Sequence, residues 1–426
     1  MNTEAIGAIA IFILLFGSIS RRLEKTVITP PMAYVVYGLL ISSAALGLLQ
    51  SVSINNEVIR TIAEITLVLV LFTDASRIQL KRLRQGYNLP LRLLGLGIPI
   101  TIALGTMLAL LLFPSFNVWD AAVLATILTP TDAALGQAVV NSPRVPASIR
   151  QAINVESGLN DGICLPVLLL FVALAEETER ATDASYWLTF SAKQIVFGAV
   201  IGIAVSYFGS KLIVASLKRN WMNESFEDLS VLGLSILAYA LAQIVGGNGF
   251  IAAFCAGLTL GNTASKSTRQ KLYDFGEAEG QLLTLISFLL YGAIMIVPSL
   301  SQATWQMWLY AIASLTVARM IGVAISTIGS GLQSISILFI GWFGPRGIAS
   351  IIYGLVIVEE DNLASSDLVF ATMVITVLIS IFAHGLTAVP GANWYGDRMN
   401  DKQDTQGQMP ENKSVPEMAV RLPWRQ

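Results

Sequence analysis

Two carboxylates, Glu156 and Asp161, stand five residues apart inside an apolar run, in the motif Glu156-Ser157-Gly158-Leu159-Asn160-Asp161. Glu156 and Asn160 are four residues apart, as are Ser157 and Asp161, so on a helix the four polar groups share roughly one face. Polar groups in a membrane segment often serve only to hold helices together, but two acids within six residues exceed that need. A second run, Thr129-Pro130-Thr131-Asp132, puts a proline beside hydroxyls and an acid. Proline lacks a backbone donor and here frees the carbonyl of Thr126, four residues back. Carboxylate, hydroxyl and unwound carbonyl oxygens are hard ligands, suited to a bare alkali cation rather than a soft metal. Burial disfavours a bare negative charge, so a proton and a cation such as Na⁺ compete for it.

Other charges fall within apolar stretches: Glu64, Arg319 in Thr316-Val317-Ala318-Arg319-Met320, and Arg346 in Gly344-Pro345-Arg346-Gly347. Each costs about 2.5–3.5 kcal/mol at the centre of a membrane helix on insertion scales, which makes it a functional candidate. Arg319 requires an acidic partner; Glu156 is the first candidate and Glu64 its rival. Pro345 frees the carbonyl of Gly341, and Arg346 sets a fixed positive charge at mid-depth. Asp74 and Arg77 fall near a segment end and read as interfacial.

The elements that position these groups follow from composition. Of 426 residues 54% are hydrophobic and only 13% charged, against about 25% charged in an ordinary soluble domain. With a mean hydropathy of +0.67, the chain reads as an all-α polytopic membrane protein. Apolar segments of spanning length lie near 4–20, 31–50, 58–76, 93–113, 118–140, 151–175, 190–217, 228–246, 249–263, 281–298, 304–328, 333–358 and 367–389, thirteen in all. The first is read as a mature span rather than a signal peptide, because Arg21 and Arg22 follow it instead of preceding it.

Lys and Arg collect after spans one, three, five, seven and nine, for example Arg82 and Arg92, Arg144 and Arg150, or Lys266, Arg269 and Lys271. Even-numbered connections are nearly bare of them, which places the N-terminus outside and the C-terminus in the cytoplasm. Merging spans eight and nine would break this alternation. Proline interruptions in spans five and twelve, seven apart and oppositely directed, are what an inverted repeat of broken helices crossing at mid-membrane would give. The transmembrane domain is assigned to 1–390. From 391 to 426 the chain is expected to be a polar, disordered cytoplasmic tail.

The residues resemble a known family, the cation:proton antiporters, in particular the NhaP-like sodium/proton exchangers. The resemblance rests on Thr131-Asp132, Glu156 to Asp161, Phe250-Ile251-Ala252-Ala253-Phe254 with Ala256-Gly257, Arg319 and Gly344 to Gly347, in that order. It implies a homodimer whose core bundle moves as an elevator. By motif, Asp161 resembles the carboxylate that alternately binds cation and proton, and Asp132, Thr131 and Ser157 resemble auxiliary ligands. Asn160 resembles the asparagine of the electroneutral branch, and Glu156 with Arg319 a structural ion pair. The family usually has proline after the aspartate, whereas here Pro130 precedes Asp132, so the helix is expected to unwind earlier.

The expected activity is therefore exchange of a monovalent cation, Na⁺ first and Li⁺ or K⁺ as alternatives, for one proton, in a bacterial cell membrane. It requires neither enzymatic chemistry nor a cofactor beyond the transported ions. A sodium-coupled symporter of an organic anion and a cation channel are the alternatives. Intramembrane proteolysis lacks its paired aspartate motifs, and the single histidine, His384, reads as structural or interfacial. Cys164 and Cys255 have no CxxC spacing and read as small hydrophobes. No basic stretch interleaved with aromatics suggests nucleic-acid binding.

Overall fold

In the computed structural model, which describes residues 3–23, 26–48, 57–83, 88–132, 134–180, 184–264, 280–359, 365–403, 409–413 and 415, every apolar run contains helix and the described residues contain no strand. The main helices are α1 (Thr3–Leu23), α2 (Pro30–Ile41), α3 (Glu57–Arg77), α4 (Asn88–Leu112), α5 (Val118–Ile127), α6 (Ala147–Arg180) and α7 (Ala184–Lys218). They continue as α8 (Glu224–Ile244), α9 (Gly249–Thr263), α10 (Gly280–Ser301), α11 (Trp305–Ser326), α12 (Ser334–Trp342), α13 (Ile348–Glu359) and α14 (Ser366–Gln403). Each of the thirteen apolar segments holds helix, and the fifth and twelfth are the interrupted ones. Among the described residues seven helices are long and apolar enough to cross a bilayer, and four more are shorter apolar helices. Outward-facing side chains such as Leu14, Leu111, Phe208 and Ile244 are apolar and exposed, as a lipid-facing surface requires.

Ends that the charge pattern assigns to one side meet each other. Arg92 donates to the Ile328 carbonyl, Asn262 to that of Ile78, and Arg144 pairs with Asp397 at 3.3 Å. At the opposite end the Asn248 amide donates to the Gln194 carbonyl. The basic loop of Lys266, Arg269 and Lys271 lies outside the described residues.

Small residues set the closest approaches. On α9, Gly257 and Gly261 lie against the backbone of Phe72 and Ser76 on α3, and Gly202 of α7 lies against Ala252. A side chain at these glycines would collide with main chain, so their spacing on one face of α9 fixes the α3–α9 contact. The aromatic ring of Phe254 fills the space over Gly162 on α6, which ties this layer to the helix bearing the acidic motif.

α4 and α11 each contain a single π-turn, at Leu93–Gly97 and Ser314–Ala318. They pack together where Gly322 approaches Thr101 and the Gly97 carbonyl. These are the fourth and eleventh spans, the helices preceding the two breaks, and a third π-turn lies in α10 at Tyr291–Met295.

Residues 391–403, expected to belong to a disordered tail, are helical. α14 continues through Pro390 to Gln403, with Ala388, Ala392, Tyr395 and Met399 buried. Their spacing of four, three and four is helical, a periodicity hidden by the polar residues between them.

Candidate cation site

α5 is opened by an Asn117–Asp120 capping box and stops at Ile127, three residues before Pro130, because the pre-proline residue is pushed out of the helical region. The interruption runs to the short helix Gln137–Val140. α12 stops at Trp342 for the same reason, ahead of Pro345, and α13 resumes at Ile348. The two extended segments cross and bond directly: the Asp132 amide donates to the Pro345 carbonyl at 2.8 Å.

Charges at this crossing face the half-helix ends that suit them. The Asp132 carboxylate accepts the Ala134 amide at 2.6 Å on one oxygen and the Ile348 amide at 2.7 Å on the other. It thereby caps the start of α13, the end that carries partial positive charge. Arg346 is fully buried; its Nη1 donates to the Gly344 carbonyl at 3.0 Å and the Pro130 carbonyl at 3.5 Å, and its amide to Ser380 Oγ at 2.6 Å. It sits just beyond the ends of α5 and α12, where free carbonyls concentrate negative charge. Gly344 and Gly347 make this possible, since a Cβ at the first would meet the Arg319 guanidinium and at the second the Asp132 carboxylate.

Arg319 on α11 grips Glu156 of α6 with both terminal nitrogens, at 2.5 and 2.9 Å, in a bidentate pair whose side chains are 3% and 2% exposed. The rival, Glu64, is half-buried elsewhere and accepts from Tyr239 at 3.3 Å. The π-turn of α11 ends directly before Arg319; its one extra residue turns the following helix by about 100°.

Thr131, Ser157 and Asn160 form a buried hydroxyl and amide cluster joining the α5 interruption to α6. Thr131 and Ser157 share a hydrogen bond of 2.9 Å, and the Asn160 amide donates to the Thr131 hydroxyl at 2.7 Å and its carbonyl at 3.3 Å. The Asn160 carbonyl oxygen is buried with no hydrogen-bond partner among the described residues. Asp161 is buried one turn from Ser157, and Tyr353 of α13 donates to its backbone carbonyl at 2.8 Å.

Three readings change. The Thr126 carbonyl is not left open by Pro130, because the Thr129 amide turns back onto it at 3.2 Å. The carbonyls of Ile127, Pro130 and Thr131 are taken by Ser350, Arg346 and Asn160, so backbone oxygens contribute less to an ion site than side-chain oxygens do. Asp132 has both oxygens on backbone amides, which makes it a helix cap before it is a ligand. Asp74 and Arg77, near the end of α3, are buried within the bundle, where α9 covers this end of α3 through Gly257 and Gly261 and α6 brings Gly158 against the Asp74 carbonyl.

Sequence reading passed over Ser350, Tyr353 and Ser380. Ser350 and Tyr353 lie three apart in an otherwise apolar helix, a polar face that was legible. Ser380 and His384 are four apart on α14 and bond to each other at 3.1 Å; His384 is buried beside Trp342.

A helical bundle in which two interrupted helices cross at buried charges is the architecture of a secondary transporter. The chain belongs to the sodium/hydrogen exchanger family, whose transmembrane region matches residues 8–394. It is an integral, multi-pass membrane protein. Over 395 residues it is 27% identical to the K(+)/H(+) antiporter NhaP of Alkalimonas amylolytica, covering 91% of this chain and 66% of that protein. It is 24% identical to the K(+)/H(+) antiporter NhaP2 of Shewanella sp. (strain MR-4), covering 78% of this chain and 57% of the relative. The chain thus spans less than two thirds of the length of these curated relatives. Its fold matches the sodium proton antiporter MjNhaP1 from Methanocaldococcus jannaschii with a TM-score of 0.76 at 20% identity, covering 93% of this chain and 98% of that one.

Proposed function

We propose that this chain exchanges a monovalent cation for a proton across a membrane, with Asp161 as the group that holds either. The observation that carries this reading is the convergence of oxygens at the crossing. Two hydroxyls, Thr131 of the α5 interruption and Ser157 of α6, meet at 2.9 Å, and Ser157 is one helical turn from a buried carboxylate. The Asn160 carbonyl oxygen adds a hard acceptor without a donor among the described residues. Such a set suits a dehydrated alkali cation.

The surrounding charges prepare the site without being consumed by it. Glu156 is matched by Arg319 and Asp132 by three backbone amides, whereas Arg346 places only Nη1 on carbonyls beyond the helix ends, its Nε and Nη2 being without a hydrogen-bond partner among the described residues. When the cation leaves Asp161, a proton replaces it, because a bare carboxylate is costly to move through a low-dielectric barrier. Coupling follows if the bundle crosses readily with either ligand and reluctantly when empty. With Asn160 neutral beside a single transporting acid, one cation is exchanged for one proton. The movement is of the elevator type, and the resemblance to the family supports assembly as a homodimer.

Reconstitution in liposomes with an internal pH dye, with Na⁺, K⁺ and Li⁺ added in turn, tests this reading and assigns the ion. Asp161→Asn is expected to reduce cation-driven proton flux to background while the protein still elutes as a folded species. Flux retained in that variant would remove Asp161 from the site.

A further inference from the structure

Beyond α14 the chain returns to the bundle at Met409–Lys413, where residues Pro410–Asn412 form one 3₁₀ turn. Glu411 there is fully buried, an unusual state for an acid outside the apolar spans. One of its carboxylate oxygens accepts the Gln333 amide at 2.8 Å and the Ser336 hydroxyl at 2.8 Å. Gln333 is at the N-cap position of α12 and Ser336 lies in its first turn, so the Glu411 side chain supplies the acceptor that caps the start of this half-helix. Its backbone carbonyl accepts from Ser148 in the first turn of α6.

The return segment is also packed. Met409 lies in one apolar cluster with Phe339, Ile340, Tyr395 and Met399, and Pro410 covers Gly331, whose φ of +77° turns the chain into α12. Tyr395 of α14 bonds Ser336 at 2.8 Å and stacks on Phe339 at 4.1 Å. Glu411 therefore joins the first turns of α6 and α12, the helices that bear the acidic motif and lead into the second break, to α14.

We propose that Glu411 is a positioning residue for ion exchange. α12 has only nine residues, is interrupted at Trp342, and ends where Arg346 bonds Gly344 and Pro130. Anchoring its first turn to α6 fixes where its last turn presents those carbonyls, and so holds the crossing in its ion-competent arrangement. Without the anchor that arrangement is populated for a smaller fraction of the time, and the apparent dissociation constant rises as the inverse of that fraction. A saturating cation draws the population back, so the maximal rate is preserved. This inference rests on the proposed exchange activity at Asp161.

The test measures proton flux against cation concentration for the full chain in liposomes. Glu411→Ala is expected to raise the half-saturating concentration roughly fivefold or more with the maximal rate within about twofold, as a falling competent fraction requires. Glu411→Gln keeps the accepting oxygen and is expected to restore half-saturation to near the parent value. Ser148→Ala, which leaves the buried carboxylate in place, should shift the same parameter by less, and it serves if Glu411→Ala does not fold. An unchanged half-saturation in both Glu411→Ala and Ser148→Ala, a fall in maximal rate alone, or a Glu411→Gln variant as impaired as Glu411→Ala would overturn the proposal. Asp161→Asn run alongside separates the two readings: flux in that variant defeats the site, whereas the Glu411 and Ser148 series judges only the anchor.

Discussion

Glu156 and Arg319 show how a buried charge can belong to a transport site without binding cargo. Both are almost wholly inaccessible and joined by two hydrogen bonds, so removing one leaves the other uncompensated in a low-dielectric interior, at a cost of about 3–5 kcal/mol. Arg319→Ala is therefore expected to lower the thermal unfolding temperature in detergent markedly. The double variant Glu156→Gln, Arg319→Gln should be less destabilised than either single change, and a simple sum of the two losses would argue against direct pairing. Which acid takes Arg319 was open between Glu156 and Glu64 in the sequence, because covalent spacing says nothing about residues 163 positions apart. The polar face of α6 was legible, since it rests only on helical periodicity.

Among the elements, the interrupted helices and the π-turns decide where those residues point. The breaks follow from Pro130 and Pro345 and could be read directly. The π-turn at Ser314–Ala318 could not, since no residue in it announces an extra unit in the helix. Its effect is testable by removing Val317, an exposed residue within it. Deletion should restore regular helix, rotate Arg319 relative to the preceding part of α11 by about 100°, and separate it from Glu156. We expect a severe loss of folded protein by size-exclusion chromatography, whereas Val317→Ala should behave like the parent. Equal behaviour of the two variants would mean that the π-turn has no part in placing the ion pair.

For the whole molecule, two expectations follow from charge. Because a single acid is proposed to alternate between one proton and one cation, no net charge crosses per cycle, and exchange in liposomes should be insensitive to an imposed potential. A steady current growing with voltage would require a different stoichiometry. Orientation follows from the distribution of Lys and Arg. In a background with Cys164 and Cys255 replaced, a cysteine at Asp397 should react with an impermeant maleimide only from the cytoplasmic side. One at Trp305, exposed at the other end of α11, should react only from outside; the reverse pattern would invert the topology.

Sequence by itself determined the solvent, the helical class, the positions of the thirteen apolar segments and the two breaks. Each of these depends on composition or local periodicity, and the bilayer enforces helix wherever the chain is apolar. It also singled out Asp132, Glu156, Asp161, Arg319 and Arg346, because an ionisable group in such a run is conspicuous. Tertiary structure alone decided what each charge does: Asp132 caps the start of α13, Arg346 closes onto carbonyls at two helix ends, and Glu411 returns from beyond α14 to anchor α12. These roles depend on donors from segments far apart in the chain, and hydrogen bonding is satisfied in space rather than along the sequence.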